Sequence, residues 1–166
     1  MRFLVPCLFL LVFSVCAQAE STHQGPILLT ISGAIQPTAS GQPVRHFDRA
    51  QLEALEQAST RTHTPWTEEA HVYQGVLGRA LIEAVGAQQA GTLRLTALNE
   101  FSADIPVEDL LHYPVILAMQ KDGRPLRVRD RGPLFVIYPF DSYPELNTEM
   151  YYNRSVWQVR HIEFLP

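Results

Sequence analysis

Three arginines and an aspartate crowd one short run, Arg127-Val128-Arg129-Asp130-Arg131. A guanidinium carries a planar fork of donors that matches the oxygens of a phosphate or carboxylate. If Leu126–Asp130 is extended, alternation places Arg127, Arg129 and Arg131 on one face. Three forks on one rim could then hold an anion. The same charges could equally be neutralised from within by Asp130, Asp141 or Glu100. The residues alone leave both readings open.

Other chemistries have less support. The six histidines show no metal-ligand spacing: His63 and His71 are separated by Pro65 and Trp66, and no HExxH occurs. No serine sits in a GxSxG elbow. Cysteine occurs only at Cys7 and Cys16. The carboxylate pairs Glu68-Glu69 and Glu108-Asp109 are adjacent in sequence and so do not face one another. They read as solvated surface. Trp66, Tyr73, Phe101 and Tyr138 fall near expected turns and could line a cleft or simply pack.

The arginines must be held by the elements around them. Val115–Ala118 and Leu134–Tyr138 read as buried strands, with Asp122-Gly123 as a turn between them. Ile27–Ile31 and Val44–Phe47 read as strands. Asp48 with Gln51 forms a capping box, and Phe47 with Leu52 a hydrophobic staple, for a helix running to about Ser59. Thr60–Thr64 reads as a β segment, Val72-Tyr73 as a short extended piece, and Gly78–Val85 as a helix stopped by Gly86. Leu93–Leu98 alternates as an amphipathic strand, and Ala103–Ile105 pairs back. Pro106 opens a short helix. Asp141–Asn153 reads as a loop, and Val156–Phe164 as a last strand with a bulge between Val159 and Ile162. Strands outnumber helices and alternate with them irregularly, which points to an α+β domain with a mixed, mainly antiparallel sheet.

The start of the chain has the form of a secretory leader. Arg2 precedes the apolar run Phe3–Val15, and Ala17-Gln18-Ala19 suits signal peptidase. We expect a signal peptide at 1–19 with cleavage after Ala19, rather than lipidation of Cys16, and a single domain at 20–166. The address expected is the periplasm, with no membrane span in the mature chain. Cleavage there removes both cysteines, so stability would rest on a core and not on a disulfide. Thirteen basic against 17 acidic side chains give a net charge of −4. That balance argues against nucleic acid as a partner.

Several segments together resemble one family. Tyr73-Gln74-Gly75-Val76, followed by a helix with Leu81 and ending at Gly86, resembles the G-V…L-L…G segment of sulfite-oxidase-type molybdopterin-binding domains. Leu93–Ile105 is similar to their strand–turn–strand. Val115–Pro139 is similar to their DG-x-P-L…GP-L run, and Trp157–Phe164 to their closing strand. The resemblance implies that family's α+β fold, with a mixed, mainly antiparallel sheet and a few short helices. It also implies a pterin cofactor (molybdopterin) whose phosphate is held by basic and polar groups. In the family a cysteine thiolate binds the molybdenum from a strand–loop upstream of the G-V helix, often shortly before a tryptophan. Here that segment is Thr62-His63-Thr64-Pro65-Trp66, without a cysteine, and a hydroxyl or imidazole does not replace a soft thiolate.

Carried over onto this chain, the resemblance makes His63, Thr64, Trp66, Asn99, Phe101, Arg127, Arg129 and Arg131 the cofactor-binding residues. It supplies no protein metal ligand, and no catalytic residue is assigned. The expected function is that of an exported molybdopterin-oxidoreductase-like domain without molybdenum redox catalysis of its own. It would bind an anionic small molecule or pterin-type ligand. Two other functions stand beside it: a cofactor-free periplasmic module, interacting or sensory, that works with a periplasmic or membrane sensor partner, and an active molybdopterin-dependent oxidoreductase with an atypical metal site. The binding readings require Thr62–Trp66, Asn99–Ser102 and Arg127–Arg131 to converge on one cleft.

Overall fold

The computed structural model describes residues 25–39 and 41–166. The expected leader, both cysteines and the Ala19 cleavage point lie outside the described residues. Among the described residues, no helix is long and apolar enough to cross a membrane.

Among the described residues, ten strands form two sheets around a shared core. The first holds β1 (Leu29–Gly33), β2 (Val44–Phe47), β5 (Thr92–Ala97), β6 (Ser102–Pro106) and β10 (Val159–Leu165), in the order β2-β1-β10-β5-β6. The second holds β3 (Gln57–Thr62), β4 (His71–Leu77), β7 (Ile116–Lys121) and β8 (Arg124–Pro125) in that order, with β9 (Phe135–Ile137) also on β7. Among the described strands, β1 and β10 alone run parallel, and every other pair is antiparallel. The sheets are mixed and mainly antiparallel, as the irregular order of elements implies.

Alternation decides what each sheet buries. Leu93, Leu95 and Ala97 of β5 face inward with Leu29, Ile31, Ile162 and Phe164. The same core takes Val76, Leu117 and Val136 from the second sheet, and Leu81, Ile82 and Val85 from α2 (Gly78–Val85). Gly86 stops α2 in the left-handed conformation, with φ 68°. Gly75 is required by close approach: a Cβ there would lie 2.1 Å from the Leu117 carbonyl oxygen. Gly78 is similarly tight against the Leu110 side chain. The G-V…L-L motif is therefore a packing signature, which brings β4 onto β7 and α2 onto α3 (Val107–His112).

Several expected boundaries move. The capping box forms, with the Gln51 backbone N–H donating to Asp48 and the Asp48 N–H donating to the Gln51 side chain. Yet α1 is only Arg49–Glu53, and the chain from Gln57 is strand, not helix. Cross-strand pairing with β4 overrides the local helical pattern. The piece expected at Val72-Tyr73 is the seven-residue β4. The expected loop at Asp141–Asn153 contains a 3₁₀ turn, Pro144–Leu146, and α4 (Glu149–Arg154). The register shift in β10 falls between Val159 and His161, where the bulge was expected.

Asp109 overturns a second expectation. It is buried, 7% exposed, and not solvated surface. The buried Tyr138 hydroxyl donates to it at 2.8 Å and Arg154 Nη1 at 2.9 Å. Burial, then the Asp109 charge and hydrogen bond, push the Tyr138 phenol far up from its ordinary value.

Candidate anion site on the outer face of the second sheet

The second sheet has a second apolar face, turned away from the shared core. Tyr73, Ala118, Phe135 and Ile137 form it, and Trp66 and Trp157 pack over them. The two indoles meet edge to face, 5.1 Å apart at 87°, and Phe135 lies 5.8 Å from Trp66. Trp66 arrives on the turn after β3, where the Thr67 N–H donates to the Thr64 carbonyl. Trp157 arrives just before β10, held by an isolated bridge to Phe135.

Arg131 is set against this aromatic floor. Its guanidinium carbon lies 5.6 Å from the Trp66 ring centre and 5.5 Å from that of Trp157. Two such cation–π contacts hold a cation without neutralising its donors. Among the described residues, the Arg131 side chain has no hydrogen bond and no carboxylate partner. By contrast, Arg94, Arg127, Arg154 and Arg160 each pair with an aspartate or glutamate. Below lies the buried Tyr73. Burial raises its phenol, while hydrogen bonding to Thr64 and the charge of Arg131 pull it partly back. The Thr64 and Thr67 hydroxyls are 3.0 Å apart. The run from Lys121 to Arg131 carries five basic side chains against Asp122 and Asp130 in an otherwise acidic chain.

The arginines do not share one extended face. Val128–Asp130 is a 3₁₀ turn, and Arg131 takes φ 70°. The turn forms because Gly132 N–H donates back to the Arg127 carbonyl and Asp130 N–H does the same. Arg127 is consumed by Asp130 at 2.7 Å, which holds that carboxyl below its usual range. Arg129 is exposed. The cluster is thus divided: Arg127 is in a salt bridge, and Arg131 lies against the two indoles with, among the described residues, no carboxylate partner.

The remaining site residues are spread out. Thr64 and Trp66 join Arg131. His63 points to Asp141, with Nδ1 at 2.9 Å from the carboxylate and its own backbone N–H also donating there. Asn99 accepts from the Phe101 N–H, and Phe101 is half exposed at the β5–β6 turn. Among the described residues, no hydrogen bond or ring contact links Asn99 or Phe101 to the indoles. They connect one step removed, through Gln158, whose carbonyl accepts from Leu98 N–H and whose own N–H donates to the Arg131 carbonyl. Convergence of the three segments is therefore incomplete. Trp157, Asp141 and Tyr73 complete the region; none was among the expected cofactor-binding residues, although Tyr73 was a candidate cleft liner and Asp141 a candidate partner of the arginines. Trp157 carried a signal, as part of the closing-strand motif. Among the described residues, Asp141 and Glu100 do not neutralise the cluster as the salt-bridge reading expected: Asp141 binds Thr62 and His63, 79 and 78 positions away, and Glu100 binds Arg160.

The Thr62–Trp66 segment does not fit molybdenum. Thr62 is fully buried, and its hydroxyl donates to the His63 carbonyl and accepts from the Asp141 N–H, both at 3.1 Å. No thiolate is present in the segment, and among the described residues no group of three His, Cys, Asp or Glu could hold a metal ion.

Two mainly antiparallel sheets with one parallel strand pair and a few short helices make an α+β domain. Residues 45–164 match the family described as oxidoreductase molybdopterin binding domain, and the chain belongs to it. Among solved structures it is similar to the sulfane dehydrogenase SoxCD from Paracoccus pantotrophus, with a TM-score of 0.60 and 17% identity. The match covers 82% of this chain and 37% of that one, so this chain spans well under half of that protein's length. No curated protein matches the sequence.

Proposed function

We propose that this protein is an exported molybdopterin-oxidoreductase-like domain that binds an anionic, pterin-type ligand on the face formed by Trp66, Trp157 and Arg131, and that it carries out no molybdenum redox catalysis of its own. The observation that carries the proposal is the Arg131 guanidinium, half-buried between two indoles and left without a carboxylate. Burying an unneutralised cation is costly, and a site that keeps one is suited to an anion. A flat heteroaromatic ring suits the indoles, and a phosphate or carboxylate suits the guanidinium fork. The absence of thiolate at Thr62–Trp66 argues against bound molybdenum. The apolar run Phe3–Val15 and Ala17-Gln18-Ala19 support export.

Titration with a phosphorylated pterin, read by quenching of Trp66 and Trp157 fluorescence, tests the ligand. Arg131→Gln should weaken binding at least about tenfold, the loss of one charge-assisted contact, and leave thermal stability nearly unchanged. No quenching by the wild type, or equal binding by the variant, would refute the ligand assignment. Metal analysis of protein purified from molybdate-replete cells tests the other half. Stoichiometric molybdenum would overturn the non-redox assignment.

A further inference from the structure

Sheet edges are normally blunted by proline, lysine, bulges or shortness, because an open edge invites another strand. The edge strand β8 is two residues long and ends in Pro125. The edge strand β6 ends in Pro106. The edge strand β2, Val44–Phe47, also lacks proline and lysine but is only four residues long. The edge strand β3 is the longer open edge: Gln57–Thr62 is six residues, pairs with β4 without a register shift, and contains neither proline nor lysine.

Its unpaired groups can be read from parity. Leu77 N–H donates to the Glu56 carbonyl opposite it, which places that pair on the hydrogen-bonded parity of the ladder. Counting by two along the register, Ala58, Thr60 and Thr62 bond to β4. Gln57, Ser59 and Arg61 therefore turn their N–H and C=O groups outward. Among the described residues, no hydrogen bond reaches these outward groups. Both ends of the window are closed. The Gln57 side chain donates to the Leu52 and Leu55 carbonyls, and His63 N–H donates to Asp141.

We infer that β3 is a docking edge for a second copy of this chain, two β3 strands pairing antiparallel about a two-fold axis through Ser59. That register sets Gln57 opposite Arg61 of the second copy and Ser59 opposite Ser59, with about six new backbone hydrogen bonds. The two arginines are kept apart and each faces a neutral amide carbonyl. On the other face Ala58 meets Thr60, so small side chains meet and no like charges are opposed. The contact is self-complementary, and it extends the second sheet across both copies.

Sedimentation over a concentration series should show a reversible dimer. Ser59→Pro removes an outward donor and no bond to β4, so it should weaken the dimer at least about tenfold without unfolding the protein. Cross-linking checks the register independently, in the full chain with Cys7 and Cys16 changed to serine. Opposed residues in such a pair have Cα atoms about 5.5 Å apart, within disulfide reach. Ser59→Cys should therefore form a covalent dimer on mild oxidation, and Thr60→Cys, which faces Ala58, should not. A chain that stays monomeric at high concentration overturns the inference. So does a dimer that Ser59→Pro leaves unchanged, or equal cross-linking of the two cysteine variants.

Discussion

Replacing Asp109 with alanine should be among the most damaging single changes outside the purely apolar core. Its carboxylate accepts from Tyr138 and Arg154 through the same oxygen, Oδ2. Tyr138 is wholly buried, and the Arg154 side chain is only 18% exposed. Removing one partner of a buried ion pair costs about 3–5 kcal/mol, since the other charge is left desolvated. Arg154 retains some water and its stacking on Tyr151, 5.2 Å from the ring centre, so the lower end applies, about 3 kcal/mol. For a domain of this size that corresponds to a fall in Tm of about 6–12 °C. Tyr138→Phe in the native background removes one hydrogen bond but orphans nothing, because Asp109 keeps Arg154. Its cost should be about 1–1.5 kcal/mol. The decisive measurement is the second change made in the first background. With Asp109 already gone, Tyr138→Phe removes an unsatisfied buried hydroxyl and should be neutral or stabilising. Urea unfolding followed by Trp66 and Trp157 fluorescence gives all four corners of the cycle. An equal cost for Tyr138→Phe in both backgrounds would show that the phenol and the carboxylate are not coupled.

Other expectations are simpler. Gly75→Ala should cost about 3 kcal/mol or more, because its Cβ would meet the Leu117 backbone, which no side-chain rotation can relieve; the urea midpoint reads this. Asp48→Ala should cost about 1 kcal/mol through loss of the capping box, also visible as a lower midpoint. The raised phenols of Tyr73 and Tyr138 stay protonated in the fold. Their contribution is complete below the unfolded value of about 10 and is lost as pH climbs above it. The unfolding midpoint should therefore drop steeply above about pH 10, and less so in Tyr138→Phe, whose unfolded chain has one fewer phenol to ionise.

Local chemistry was legible without the fold. The helix Gly78–Val85 and its left-handed stop at Gly86 follow from apolar spacing and a residue tolerant of positive φ. The turn at Asp122-Gly123 follows likewise, and both residues take positive φ. The capping box needs only Asp48 and Gln51. The family was also legible, because its motifs mark close packing: Gly75 lies against Leu117 and Gly78 against Leu110. These features depend on residues a few positions apart, or on steric demands that only glycine meets.

The site is different in kind. Alternation was a sound rule for a strand and the wrong rule for Leu126–Arg131, because backbone bonds to the Arg127 carbonyl wind that run into a 3₁₀ turn. Charge concentration singled out three arginines as equals. The fold made them unequal: Arg127 meets Asp130, Arg129 meets solvent, and Arg131 meets two indoles from distant segments. Asp109 looked like surface until Tyr138 and Arg154 converged on it from 29 and 45 positions away. By itself, the sequence determined the class of fold, the local stops and turns, and the missing thiolate at Thr62–Trp66. Which arginine is held against the two indoles without a carboxylate was decided only by tertiary structure, because a side chain's partners are set by proximity in space and the chain encodes that only through the packed whole.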